Sequence, residues 1–211
     1  MTLFIDLDGT ILDVSKRIYY VYRDILKKKN EKYLSQKDYL RLKRGKIPIE
    51  KILGKTKAEN TSFQFKRCWR KEIEKPHYLS LDRLHRKTKK ILALFKKDHR
   101  IVMITLRNHP RNLIKQLKKQ SIYTLFDEIL LIPKESFVPK WKIKYKLIKK
   151  YGNYNKKSII IGDTETDILA GKKLGIKTVA VTSGMTDKNI LKKYKPDFII
   201  KDLSELKRCI F

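Results

Sequence analysis

Two aspartates stand two residues apart at the end of the first apolar segment of the chain. Residues 4–10 read FIDLDGT, so Asp6 would end a strand and Asp8 would follow it. The turn at Gly9 then decides where the Asp8 side chain points. Two crowded carboxylates need a cation, or one of them must take up a proton. The plainer interpretation is a strand followed by an ordinary Asp-Gly turn.

A second acidic cluster follows another apolar segment, because residues 159–167 read IIIGDTETD. Asp163 and Asp167 are four residues apart, which places them on one face of a helix that begins there. Alone, this cluster could be an acidic first helical turn with Thr164 as its cap. Acidic clusters after two strands together supply hard oxygen ligands, and they predict an octahedral Mg²⁺ site that shares a substrate phosphate.

Such a site needs an open parallel sheet, since ligands bind outside the carboxyl ends of its strands. Short apolar segments alternate with longer amphipathic ones, which is typical of an α/β fold. Six strands are predicted, at residues 2–6, 100–105, 127–132, 157–161, 177–181 and 197–200. Five helices are predicted, at residues 82–97, 110–120, 140–151, 164–174 and 188–194. The predicted fold is a three-layer, Rossmann-like parallel sheet covered by helices.

One long segment interrupts this alternation. Residues 14–81 show no clear strand pattern, and their apolar residues recur at helical spacing, as at Tyr22 and Leu26. We therefore expect an α-helical insert at residues 14–81. The Rossmann-like domain is then formed by residues 1–13 and 82–211.

Composition excludes several classes of protein. The chain has 211 residues, of which 41% are hydrophobic, so it can bury a core and is not a disordered basic tail. Its two cysteines, Cys68 and Cys209, are too few for a disulfide framework or a thiolate zinc site. No secretory segment is visible, and the apolar runs fall short of the roughly 20 residues of a membrane helix. We predict a soluble, cytoplasmic protein with no membrane partner.

The acidic motifs resemble those of the haloacid dehalogenase superfamily of phosphohydrolases. The first motif of that family, Asp-x-Asp-Gly-Thr, matches residues 6–10. Its second motif, a Ser or Thr that ends an apolar strand, matches Thr105, and its fourth, Gly-Asp-x-x-x-Asp, matches residues 162–167. The family's dehalogenase branch lacks the second aspartate of the first motif, whereas its phosphatases have it. Asp8 therefore favours phosphoryl transfer.

The resemblance implies a role for each matched residue. Asp6 would attack phosphorus and become an aspartyl phosphate, while Asp8 would protonate the leaving oxygen and then deprotonate water. Thr105 would hydrogen-bond a transferring phosphoryl oxygen. Gly9 and Thr10, in the same motif as Asp6, become candidate substrate-binding residues.

The resemblance also implies a metal site and a lysine. Mg²⁺ would be held by the carboxylates of Asp6 and Asp163 and by the main-chain carbonyl of Asp8. Asp167 would bind the ion directly or through water. The family's third motif is a lysine near the start of the preceding helix, for which Lys140, Lys142 and Lys144 compete. Lys140 is favoured because it follows Pro139 at the predicted helix start. Arg107 and Asn108, on the loop after Thr105, are second-tier substrate contacts.

The net charge of +30 leaves the substrate open. Residues 14–100 contain 28 Lys and Arg against nine Asp and Glu, so the excess is densest on and beside the insert. The resemblance identifies this insert as an α-helical cap over the site. The cap sequence includes Phe63, Phe65 and Trp69, and basic residues with stacking rings can bind single-stranded nucleic acid. The plainer interpretation is that these rings pack the cap's own core.

Three functions follow from these observations. The favoured one is a Mg²⁺-dependent phosphomonoesterase that acts on a small phosphorylated metabolite or nucleotide. A phosphatase acting on nucleic-acid ends is the second, and a basic nucleic-acid-binding protein on the same scaffold is the third. Carboxylates without a metal would repel nucleic-acid phosphates, which argues against the third.

Overall fold

The protein is built on a six-stranded parallel sheet. The computed structural model describes residues 1–132 and 138–210. The strands, in chain order, are Thr2–Asp6 (β1), Leu12–Asp13 (β2), Arg83–Leu84 (β3), Arg100–Thr105 (β4), Glu128–Leu131 (β5), Ile159–Gly162 (β6), Lys177–Val181 (β7) and Phe198–Ile200 (β8). The sheet has the order β5-β4-β1-β6-β7-β8, and all of its strand pairs are parallel. The predicted Rossmann-like α/β fold is confirmed.

Helices cover both faces of this sheet, as the apolar strands require. The α-helices are Ser15–Lys27 (α1), Gln36–Arg44 (α2), Ile49–Gly54 (α3), Ser62–Glu72 (α4), Pro76–Leu79 (α5), Thr88–Phe95 (α6), Pro110–Lys119 (α7), Lys140–Tyr151 (α8), Glu165–Leu174 (α9), Lys188–Lys193 (α10) and Lys207–Ile210 (α11). Alternation along β1 sends Leu3 and Ile5 into one apolar cluster and Phe4 into the cluster on the opposite face. No helix in the described ranges is long and apolar enough to cross a membrane.

The predicted helix at residues 82–97 is wrong at its beginning. Arg83 and Leu84 form strand β3, which pairs antiparallel with β2 in a separate two-stranded sheet. Their backbone groups therefore bond to another strand instead of to a helical turn. Lys87 then adopts a left-handed backbone with φ of 64°, and the helix begins only at Thr88. This small sheet lies where the chain leaves and re-enters the main sheet domain.

Between β2 and β3 the structure contains helices α1 to α5 and a short 3₁₀ turn at Glu59–Thr61. Their buried side chains form an apolar cluster of their own, in which the rings of Tyr22 and Tyr39 stack at 3.9 Å between centroids. The chain between the two short strands is therefore helical. The domain boundaries at residues 14 and 81 stay a prediction.

Candidate active site

The carboxyl ends of β1, β4 and β6 border one cavity of about 340 Å³. The register explains this meeting, since Ile5 on β1 lies between Met103 on β4 and Ile161 on β6. Asp6, Thr105 and Asp163, which follow these three positions, all line the cavity. A larger cavity of about 720 Å³ is lined by residues from 76–84 and 112–120, and none of these three residues borders it.

Three buried carboxylates lie together beside the smaller cavity, and two of them, Asp6 and Asp163, line it. Asp6, Asp163 and Asp167 each offer one oxygen, and these oxygens lie within 4.8 Å of one another. Lys144 Nζ donates to Asp6 Oδ1 at 2.6 Å and also to Asp167 Oδ1. One ammonium group thus faces three carboxylates. The group as a whole can accept a further cation or a proton.

This surplus of negative charge shows in the pKa values of two carboxyls. Burial, together with the charge of Asp167, raises the pKa of Asp163 to about 7. Burial and the neighbouring Asp167 and Asp163 also hold the pKa of Asp6 well above its ordinary value, although Lys144 opposes them. Asp163 Oδ2 accepts the Met185 N–H at 2.6 Å, whereas its buried Oδ1 has no hydrogen-bond partner in the described part of the chain. A cation bound here would satisfy that oxygen.

Glycines let the backbone approach these carboxylates. A Cβ at Gly9 would lie 2.3 Å from Asp163 Oδ2, and a Cβ at Gly184 would lie 2.1 Å from the same atom. Gly9 also has a φ of +91°, which residues with side chains rarely adopt. A Cβ at Gly162 would lie 2.0 Å from Asp167 Cγ. The chain is built closely around two carboxylates, and these hard oxygen donors fit Mg²⁺.

Asp8 occupies a different electrostatic environment from Asp6. Its Oδ1 accepts Arg17 Nη2 at 2.8 Å, and its Oδ2 accepts Arg107 Nε at 3.0 Å. Burial alone would raise the pKa of Asp8, but Arg107 and Arg17 hold that pKa well below its usual range. Asp82 joins the two arginines from behind, with contacts at 2.9 Å to Arg17 Nε and 3.2 Å to Arg107 Nη2. The Asp8 carboxylate is therefore fixed in position and ionised.

Of the other residues predicted for the site, some line the cavity and others do not. Thr105 and Arg107 line the cavity, and both are nearly fully buried. Asn108 does not line it, and its backbone N–H donates instead to Glu74 Oε1 at 2.9 Å. Thr10 is fully buried and, like Gly9, lies outside the cavity lining.

Among the three competing lysines, the structure places Lys144 beside Asp6. Lys140 lines the outer part of the same cavity, and Lys142 is exposed. Lys140 was predicted to be the third-motif lysine, but the lysine that contacts Asp6 in the structure is Lys144. Helical phase could have pointed to Lys144, because Leu147, Ile148 and Tyr151 follow it at spacings of three, four and seven residues. These three residues belong to one apolar cluster, and Lys144 shares their side of α8.

The family model for haloacid dehalogenase-like hydrolases matches residues 3–181. The chain belongs to this family. The hydrolase is thus placed in the family that the resemblance of its motifs implied.

Similar proteins narrow the class of this hydrolase. A pyrophosphatase PpaX of Bacillus mycoides is 22% identical over 207 residues, covering 97% of this chain and 94% of that protein. A pyrophosphatase PpaX of Oceanobacillus iheyensis is 32% identical over 59 residues, 28% of either chain. A haloacid dehalogenase-like family hydrolase from Streptococcus pneumoniae has a similar fold, with a TM-score of 0.81 at 21% identity over 100% of this chain and 98% of that one. The chain is a hydrolase of the phosphatase type.

The aromatic residues of the insert mainly serve its core in this hydrolase. Phe65 is 3% exposed, and its ring lies 5.8 Å from that of Trp69. Trp69 is partly buried and lines the cavity, whereas Phe63 is 78% exposed. The rings do not form a shared exposed surface, so the predicted nucleic-acid partner gains no support.

Sequence reasoning missed Arg17 and Asp82, although each contacts the group around Asp8. Arg17 did leave a signal, because it lies four residues before the buried Val21 on the apolar face of α1. A charged residue on such a face needs a buried partner. Asp82 is 65 residues from Arg17, and nothing in the sequence connects the two.

Proposed function

We propose that this chain is a Mg²⁺-dependent phosphohydrolase that transfers a phosphoryl group from a small phosphorylated molecule first to Asp6 and then to water. The observation that carries the proposal is the cluster of Asp6, Asp163, Asp167 and Lys144, of which all but Asp167 line one cavity. A cavity of about 340 Å³ suits a small substrate. Inorganic pyrophosphate is among the candidates, given the pyrophosphatase relatives.

Asp6 acts as the nucleophile in this proposal. One of its carboxylate oxygens attacks phosphorus and forms an acyl phosphate, while the bond from phosphorus to the leaving oxygen breaks. Lys144 opposes the burial that would keep Asp6 protonated, and its charge offsets the negative charge of the transferring group. The Thr105 hydroxyl, on the neighbouring strand end, donates to a phosphoryl oxygen.

Asp8 moves the proton in both steps. In the first step Asp8 would have to take up a proton from solvent, against its two arginine contacts, before passing that proton to the leaving oxygen. In the second step the ionised carboxylate takes a proton from the water that attacks the aspartyl phosphate. Inorganic phosphate then leaves and Asp6 is restored. The low pKa that Arg17 and Arg107 impose on Asp8 suits the second step, in which it acts as a base.

Mg²⁺ fits the donor set of the site. Its ligands would be Asp6, Asp163 and the main-chain carbonyl of Asp8, with Asp167 bound directly or through water. When bound, the ion neutralises charge on the transferring phosphoryl group. The buried Asp163 Oδ1 without a partner among the described residues supports this assignment. A cytoplasmic location stays a prediction.

Hydrolysis of p-nitrophenyl phosphate tests the proposal. We expect the purified protein to release p-nitrophenol with Mg²⁺, to stop when the metal is removed with EDTA, and to lose activity in Asp6→Asn. Asp98→Asn is the matched control, because Asp98 is exposed and lies outside the cavity lining. Full activity without a divalent ion, or unchanged activity in Asp6→Asn, would contradict the proposal.

A further inference from the structure

Three lysines other than Lys144 line the active-site cavity. Lys43 belongs to the last turn of α2, Lys46 follows that helix, and Lys140 is the first residue of α8. All three line the cavity that also contains Asp6 and Thr105. Lys43 and Lys46 come from the helical segment and Lys140 from the sheet domain.

The ammonium groups of these lysines are close enough to repel one another. Burial and the charges of Lys140 and Lys46 lower the pKa of Lys43. Partial burial of the ammonium group, together with Lys46, likewise lowers the pKa of Lys140, although part of the Lys140 side chain is exposed. An anion bound beside these ammonium groups would favour their charged forms.

The carboxylates nearby neutralise this group only in part. Arg17 and Arg107 are paired with Asp8 and Asp82, and Lys144 is paired with Asp6 and Asp167. Lys46 pairs with Glu165 at 2.8 Å, and Glu165 also acts on Lys140 from a greater distance. Within residues 1–132 and 138–210, neither Lys43 nor Lys140 forms an ion pair of its own. The three lysines therefore keep a surplus of positive charge.

We infer that Lys43, Lys46 and Lys140 form a second anion subsite, which binds a negatively charged group on the leaving part of the substrate. The substrate class is then a small phosphate ester or anhydride whose leaving group has a phosphate or carboxylate of its own. This inference rests on the proposed function, because it assigns the end of the substrate that is not transferred to Asp6.

The cavity also limits how large that substrate is. Trp69 lines the same wall, with its ring centroid 5.8 Å from Lys43 Nζ. Both ends of the substrate must fit in about 340 Å³, between the strand ends and this ring. A short leaving group with an anionic end satisfies both conditions.

Matched substrates test the subsite directly. 2-Phosphoglycolate and 2-hydroxyethyl phosphate differ in whether the leaving group bears a carboxylate. Pyrophosphate and p-nitrophenyl phosphate differ in whether the leaving group is itself a phosphate. We expect the wild-type kcat/KM to favour the doubly anionic member of each pair. Lys43→Met and Lys140→Met should each reduce that preference about tenfold, since a hydrogen bond to a charged group is lost. Lys37→Met, an exposed lysine on the same helix as Lys43, is the control and should keep the wild-type preference.

A binding measurement gives a second readout without turnover. Calorimetry should show that 3-phosphonopropionate binds more tightly than propylphosphonate, and that Lys43→Met removes most of the difference. An unchanged substrate preference in both lysine variants, with equal binding of the two analogues, would overturn the subsite and leave the phosphatase assignment intact. If the wild type hydrolyses none of the substrates with Mg²⁺, the proposed function fails, and the two phosphonates alone decide the subsite.

Discussion

Lys144→Met tests the charge balance of the active site. Lys144 is 2% exposed and lies 2.6 Å from Asp6 Oδ1, with Asp167 on its other side. Burial would lower the pKa of Lys144, but the two carboxylates raise it, so the side chain is charged in the folded protein. Methionine has a similar length and no charge. The variant therefore leaves Asp6, Asp163 and Asp167 together without a counter-charge.

The expected effects are large. Removing one partner of a buried ion pair costs about 3–5 kcal/mol of unfolding free energy. For a chain of this length that lowers the midpoint of thermal unfolding by roughly 6–20 °C. The pKa of Asp6, which is already raised, should rise further, so the nucleophile becomes protonated at neutral pH. Loss of one preorganised charged donor should reduce kcat by about 10²–10³-fold.

The assay compares three variants on one helix. Hydrolysis of p-nitrophenyl phosphate and thermal unfolding, followed by circular dichroism, are measured for Lys144→Met and for Lys142→Met. Lys142 is exposed, so its variant should stay within about 0.5 kcal/mol of the wild type. Lys144→Arg, the third variant, keeps the charge but has a bulkier head, and it should recover stability only in part. If Lys144→Met kept wild-type activity, the assignment of this lysine to the phosphoryl site would be refuted.

Three further predictions concern the carboxylates. The metal-free protein should lose stability as pH rises from about 4 to about 7. The reason is that the pKa of Asp163 is raised from 3.8 to about 7 in the folded protein, so this carboxyl ionises at lower pH in the unfolded chain. Urea unfolding in EDTA should show this fall in the free energy of unfolding, and Asp163→Asn should flatten it. Gly184→Ala should weaken Mg²⁺ binding in calorimetry, since its Cβ would lie 2.1 Å from Asp163 Oδ2, and equal affinity would argue against the metal site. Arg17→Met should raise the pKa of Asp8 and move the acidic limb of the kcat/KM profile to higher pH, whereas an unmoved profile would mean that Arg17 only holds α1 in place.

The sheet could be predicted from the sequence because its strands are buried on both faces. Continuous apolar runs such as Ile159–Ile161 are visible without any alignment, and each acidic motif follows such a run. The strand beginnings were less certain for a physical reason. Asp127 and Asp197 were predicted to start strands, but their carboxylates instead accept the N–H groups of Ile101 and Thr178, each at 2.7 Å. At Asp127 this contact adds to a backbone bond, because the Asp127 N–H also donates to the Ile101 carbonyl at 2.8 Å, whereas the Asp197 N–H donates to Thr178 Oγ1 at 3.0 Å.

The group around Asp8 could not be predicted, because it joins distant parts of the chain. Arg17, Asp82 and Arg107 come from a helix, a turn before β3 and the loop after β4. Their contacts depend on how the helical segment packs over the sheet, which periodicity does not describe. The helical spacing of the apolar residues in α1 indicates only that Arg17 is a charged residue on an apolar face.

The ion pairs show which of the chain's positive charges, in a net charge of +30, are available to a substrate. Next to Asp6 and Asp8, the positive charges of Lys144, Arg17 and Arg107 are matched by carboxylates, so they add nothing to attraction at long range. Lys43 and Lys140 form no ion pair in the described part of the chain, and they line the same cavity together with Lys46. A substrate with two anionic ends would place one end at the phosphoryl site and the other against these lysines. Because exposed charges are screened by salt, its advantage in kcat/KM over a singly anionic substrate should shrink as ionic strength rises.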